Sequence, residues 1–161
     1  MAGKEGWGQI KLLWSLVYLV GLIGTHFMVA QGQLAETTAL WIWLIVLMVS
    51  GYHMGMSGGI KWPAEVESTW MYSMVLFVVL VGAMLLNWWS GDAAVFFALY
   101  FIIFGAANFA TGHAMKKESW VFMGLMSLAF GLVFPAWFNS VPFFAAGLIL
   151  GVPMLLSSMK K

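Results

Sequence analysis

The chain consists of six long apolar runs separated by short polar segments. The runs cover residues 12–30, 39–56, 69–88, 93–115, 119–138 and 141–159. A helix needs about 20 apolar residues to cross roughly 30 Å of hydrocarbon, and each run has close to that length. None of them alternates strictly between apolar and polar positions, as a strand would. Because lipid cannot hydrogen-bond backbone groups, we expect each run to form a helix, in which these groups pair within the segment. The pattern predicts an all-α, polytopic transmembrane bundle of six helices, forming a single transmembrane domain over residues 1–161.

The connections between the runs are too short to join anything but antiparallel neighbours. Ser-Gly-Asp at 90–92 separates the third and fourth runs, and Asn-Ser at 139–140 separates the fifth and sixth. The fourth and sixth runs both have a central glycine and end in Met-Lys-Lys, at 115–117 and 159–161. Internal repeats are common in membrane proteins. The sequence therefore predicts three antiparallel helical hairpins.

The charged residues indicate the orientation of the six predicted spans. With the N-terminus inside, all seven lysines fall on the cytoplasmic side, while the outer loops carry only Glu36 and Asp92. The positive-inside rule gives this distribution only for an even number of spans. We expect a multi-pass protein of the cell (inner) membrane with both termini cytoplasmic. The run at 12–30 is longer than the apolar region of a signal peptide, so we interpret it as a retained first span.

The amino-acid composition restricts the kinds of partner that the chain can have. The chain is 63% hydrophobic and 8% charged, and it contains no cysteine. An ordinary soluble domain is about one quarter charged, so part of the solvent has to be lipid. All basic residues are lysines and they form no basic stripe, which argues against nucleic acid as a partner. The lipid bilayer is the predicted environment.

Two histidines are the candidate cofactor ligands. His53 and His113 lie near the inner ends of the second and fourth spans, so they share a predicted depth. Neutral imidazoles on facing helices could ligate a haem iron or hold a pigment. They could equally be interfacial residues hydrogen-bonded to a carbonyl or to water. Glu65 and Glu67 lie close in depth and could contribute to a metal site, or could simply mark a helix start. The sequence names no definite cofactor or metal.

Small and amide side chains form stripes on three of the predicted spans. Glycines four residues apart let helices approach closely, and an amide can hydrogen-bond between helices. The same residues could instead line a pore for a small polar solute. These helix-packing or pore-lining candidates are Gly51, Gly55, Gly105, Asn108, Gly112, Gly147 and Gly151.

The second half of the chain resembles the HdeD family, small six-helix bacterial membrane proteins associated with acid resistance. The resemblance rests on Trp120, on Gly131-Leu-Val-Phe-Pro135 and on the glycine-centred last span with Gly147 and Gly151. It covers mainly residues 70–161. It implies a six-helix, stress-related membrane protein and carries over no active site.

These observations favour a function without catalysis. No nucleophile, phosphate-loop or metalloprotease motif is present, and no charged residue lies in the middle of a span, where a coupled transporter usually needs one. We predict a non-enzymatic integral membrane protein that acts as a structural, stress-related or accessory subunit. It would form a homo-oligomer or join a larger membrane complex. The alternatives are a passive channel for a small neutral solute and a membrane subunit that binds haem or a pigment.

Overall fold

A computed structural model describes residues 3–57, 62–88 and 91–159. Within these ranges, it describes the side chains from residue 9 onward, except those of residues 54–57. The part of the chain so described contains six helices and no strand. We number them α1 to α6. Helix α1 runs without a break through Gly3–Leu16, the π-helical turn Val17–Gly21 and Leu22–Ala30. The others are α2 (Glu36–Ser57), α3 (Ala64–Leu85), α4 (Ala93–Ala114), α5 (Glu118–Trp137) and α6 (Pro142–Ser158).

The predicted helical class and the predicted number of helices are confirmed. Within the described residues, four helices are long and apolar enough to cross a membrane, namely Gln9–Ala30 of α1 and the whole of α3, α4 and α5. Helix α6 is apolar but has 17 residues, or about 25 Å at 1.5 Å per residue. The complete six-span topology and the grouping into three hairpins stay predictions.

Three helices end in the same Schellman motif, which sets their boundaries. After α1, α3 and α4 the chain takes a left-handed residue, and these residues are Gly32 (φ 70°), Asn87 (φ 60°) and Lys116 (φ 52°). In α3 the amide of Asn87 donates to Met84 and that of Trp88 to Ala83, both at 2.9 Å. Those bonds satisfy backbone carbonyl groups at the end of the helix that would otherwise have no partner. The third predicted span, 69–88, therefore extends beyond the helix, which ends at Leu85.

The chain forms two compact units, Met1–Ile60 with Ser140–Lys161, and Lys61–Asn139. In the first unit, α1 approaches α6 closely because glycines of α6 face it. A Cβ atom added at Gly151 would lie 2.8 Å from the Cβ of Leu19, and one at Gly147 would lie 3.1 Å from that of Leu22. Side chains of α2 also reach α1, and large aromatic rings make those contacts.

In the second unit, α4 lies between α3 and α5 and is the most buried of the four candidate spans. Its aromatic residues form the core of the unit with rings from both neighbours. Phe77 of α3 contacts Phe96 at a centroid distance of 5.5 Å, and Phe134 of α5 contacts Phe101, also at 5.5 Å. Phe77, Phe96 and Phe134 are completely buried. The edge-to-face and tilted geometries are those that aromatic quadrupoles favour.

Candidate functional site

His53 makes a hydrogen bond that affects its value as a metal ligand. Its Nδ1 accepts from the indole Nε1–H of Trp14 on α1, at 3.1 Å. An indole can only donate, so the neutral imidazole carries its proton on Nε2. A metal-bound histidine normally coordinates through one nitrogen and donates the other N–H to a carbonyl or carboxylate. With the Trp14 bond in place, the lone pair of Nδ1 is occupied and Nε2 carries the proton, so neither nitrogen offers a lone pair to a metal. This arrangement favours a role in joining α1 to α2.

Two more polar pairs continue the same antiparallel register along α1 and α2. The hydroxyl groups of Tyr18 and Ser50 are hydrogen-bonded, and both residues are almost completely buried. Farther along, the indole N–H of Trp43 donates to the hydroxyl of Thr25 at 3.0 Å. The Ser50 hydroxyl also donates to the backbone carbonyl of Leu47, and the Thr25 hydroxyl donates to the backbone carbonyl of Gly21. These three pairs use polar side chains to hold the two helices together.

Tyr18 lies in the π-helical turn of α1, Val17–Gly21. Such turns are rare and often occur at functional sites. Two faces of the turn are covered: Tyr18 contacts α2 through Ser50, and Leu19 contacts Gly151 of α6, whereas Val20 is 67% exposed. The turn thus supports packing on two sides.

His113 has different surroundings from His53. It lies in the last turn of α4, is exposed, and its ring contacts Phe109 edge-on at 4.6 Å. It lines an open groove of about 540 Å³ between the end of α4 and the start of α5. His53 belongs to the first unit and His113 to the second, and a cofactor site shared by the two stays a prediction.

The small residues of α4 face α5 at very short range. A Cβ atom at Gly105 would lie 2.9 Å from the backbone nitrogen of Leu128, and one at Gly112 would collide with Val121. Sequence reasoning overlooked the partners on α5. A Cβ at Gly124 would lie 2.5 Å from the nitrogen of Phe109, and one at Gly131 would lie 3.0 Å from that of Ile102. The missed signal was spacing, because each helix carries two glycines seven residues apart, which is two turns of one face.

The polar residues of α4 are also hydrogen-bonded within the second unit. The Asn108 amide donates to the carbonyl of Phe104, in its own helix, at 2.9 Å. Thr111, which is 1% exposed, accepts from the indole N–H of Trp70 on α3 at 3.0 Å. No buried side-chain nitrogen or oxygen lacks a partner anywhere in the described residues. Thr111 therefore joins α4 to α3, whereas the Asn108 amide nitrogen bonds within its own helix; whether this face also lines a pore stays a prediction.

The remaining predicted candidates are placed as follows. Gly51 lies half-buried in α2, and Gly55 lies in the same helix, in the stretch whose side-chain surroundings are not described. Glu65 and Glu67 lie exposed in the first turn of α3, where acidic side chains favour the positive end of the helix dipole. Over residues 3–57, 62–88 and 91–159, no three His, Asp or Glu side chains come together as a metal-binding group.

Comparisons of the chain with protein-family models, with curated proteins and with solved structures find no match.

Proposed function

We propose that this protein is a non-enzymatic integral membrane protein that acts as a structural or accessory subunit, in a homo-oligomer or in a larger membrane complex. One observation carries the proposal: within the described residues, the buried polar side chains of the apolar helices bond to each other between helices or to backbone groups of their own helix. Trp14 with His53, Thr25 with Trp43 and Trp70 with Thr111 are such pairs. Side chains bonded in this way fix helix packing and are not displayed toward a substrate.

The proposed topology has six spans with both termini in the cytoplasm. The four long apolar helices and the position of every lysine near a predicted inner boundary support it. Helix α6 is about 5 Å shorter than the hydrocarbon layer, a mismatch that local thinning of the bilayer accommodates at modest cost. A stress-related role, as the HdeD resemblance implies, fits the same architecture.

The outer surface of the helices is suited to lipid or to another membrane protein. Large apolar side chains point outward along α3 and α5, among them Val79 (59% exposed), Phe122 (65%) and Leu132 (74%). Exposed apolar area of this kind marks a lipid or protein contact. A homo-oligomer or accessory subunit would use part of this surface for its partner and leave the rest to the bilayer.

The experiment is native mass spectrometry of the protein extracted gently from its own membrane. A homo-oligomer, or a complex with other subunits and no added cofactor mass, is the expected result. Extra mass corresponding to haem, pigment or metal would overturn the proposal in favour of a cofactor-binding subunit, provided that replacing His53 and His113 by glutamine abolishes it. A bare homo-oligomer is then tested in liposomes, where passage of a small neutral solute above the rate of protein-free vesicles would make it a channel.

A further inference from the structure

The groove between α4 and α5 combines a cationic rim with an apolar wall. Its rim carries the side chains of His113, Lys116, Lys117 and Glu118. Two ammonium groups therefore accompany a single carboxylate, and all four side chains are exposed. The groove has an excess of positive charge that is open to a negatively charged ligand.

The wall of the groove continues along α5 into the apolar part of the chain. It is formed by Val121, Phe122 and Leu125, and the last two are 65% and 50% exposed. Leu125 lies four residues after Val121 and three after Phe122, and these are the spacings of neighbours on the surface of a helix. A ligand with a negative headgroup and an apolar tail would match the rim and the wall together.

Lys116 stands in a backbone conformation that other residues adopt more easily. It occupies the left-handed position of the Schellman motif at the end of α4, with φ 52°. The same position is taken by Gly32 after α1 and by Asn87 after α3, the two residue types that tolerate it best. Lysine is thus not required for the turn. An outlier of this kind suggests a functional reason for the residue, and its place on the groove rim supplies one.

We propose that this groove binds the headgroup of an anionic phospholipid, with Lys116 and Lys117 at the phosphate and the Val121–Leu125 face along the first part of an acyl chain. Basic pockets between membrane helices on the cytoplasmic side bind such headgroups. The inference rests on the proposed function only in requiring that the chain be embedded in a bilayer, with this loop at the boundary. A lysine near an anionic surface strengthens binding by roughly fivefold.

The test counts bound lipid by native mass spectrometry of the full chain in detergent, titrated with dioleoyl phosphatidylglycerol or dioleoyl phosphatidylcholine. The two lipids have the same acyl chains and differ in headgroup charge. We expect wild type to retain phosphatidylglycerol selectively. The variant K116Q/K117Q should lose roughly 25-fold in affinity for it while binding phosphatidylcholine as before.

Two further variants make the result decisive: a control matched in charge, and a substitution at Lys116 that the turn accommodates. K160Q/K161Q removes two lysines from an identical Met-Lys-Lys sequence and should change phosphatidylglycerol binding by less than about twofold. Equal losses in the two double variants would mean that net charge alone attracts the lipid, and would overturn the site. Lys116→Gly should weaken binding by roughly fivefold without lowering the thermal midpoint, because glycine suits the left-handed position.

Two further outcomes separate this inference from its alternatives. If excess inorganic phosphate displaces phosphatidylglycerol completely, the groove is a simple anion site and the lipid proposal fails. If wild-type protein is removed from membranes by alkaline carbonate, the chain is not an integral membrane protein. The proposed function then fails, and with it the premise of this inference. A cofactor or solute flux found in the preceding experiments would leave the lipid count unchanged.

Discussion

Replacement of Gly124 by alanine is the sharpest test of the contact between α4 and α5. The added Cβ would lie 2.5 Å from the nitrogen of Phe109 and 2.7 Å from its Cα, whereas ordinary contact begins near 3.4 Å. The helices would have to separate by about 0.9 Å, because backbone atoms cannot rotate away as a side chain can. Overpacking of this kind typically costs about 1–3 kcal/mol, and we expect a value near the upper end.

Gly82→Ala is the matched control. Gly82 lies inside α3, in the same unit, and a Cβ there would have no neighbour within 4 Å. Both substitutions gain the same helix propensity, about 1 kcal/mol. The difference between the two variants therefore isolates the steric cost, which we put at about 3 kcal/mol.

The assay is reversible unfolding of the purified protein by SDS in mild detergent, followed by tryptophan fluorescence. A difference between the Gly124→Ala and Gly82→Ala variants smaller than about 0.5 kcal/mol, the usual scatter of surface substitutions, would refute the close α4–α5 contact. The double variant G105A/G124A adds a second criterion. A Cβ at Gly105 would lie 3.1 Å from the carbonyl oxygen of Gly124, so one outward movement of α5 relieves both collisions. The loss of stability in the double variant should therefore be smaller than the sum of the losses in the two single variants, because neighbouring sites couple.

The remaining predictions concern a buried hydrogen bond and the topology. Thr111→Val should lower the free energy of unfolding by about 1–2 kcal/mol because it leaves the indole N–H of Trp70 without its acceptor. The variant Trp70→Phe/Thr111→Val should then show coupling of about 0.6 kcal/mol in a double-mutant cycle, and additive losses would contradict the bond. Because the chain has no cysteine, single cysteines can report sidedness with a membrane-impermeant maleimide on intact cells. Cysteine at Gln33 or Asn139 should be labelled and cysteine at Ser119 protected; labelling of the last would contradict the proposed topology.

Helical class and helix number could be derived from the sequence because they depend on local composition. Apolar runs of about 20 residues leave a helix as the only form that pairs the backbone internally in lipid. The start of α4 was also accessible, because the predicted span and the helix both begin at residue 93. The structure shows that Asp92 caps this start by accepting from the Val95 backbone amide at 3.0 Å. The end of α3 was less accessible, since a left-handed Asn87 stops the helix although the apolar run continues.

The partners of the candidate residues could not be derived in this way. The sequence placed His53 and His113 at a common depth, but depth does not determine which neighbour a ring meets. Only the structure shows Trp14 donating to His53 and the His113 ring on Phe109. The residues differ in sequence position by 39 in the first case, so the contact depends on how α1 and α2 pack against each other.

The glycines show the same division between local and tertiary information. Gly105 and Gly112 were recognisable as a small-residue face, yet the face could have served another helix, another subunit or a pore. Their contacts with Leu128 and Val121 show that α5 covers this face within the same chain. By itself, the sequence determined that the chain forms six apolar helices, since hydrocarbon solvent and backbone hydrogen bonding act on each segment separately. Tertiary structure alone decided which faces meet and which polar groups pair, because in apolar helices close packing of particular side chains, rather than burial from water, selects the partner.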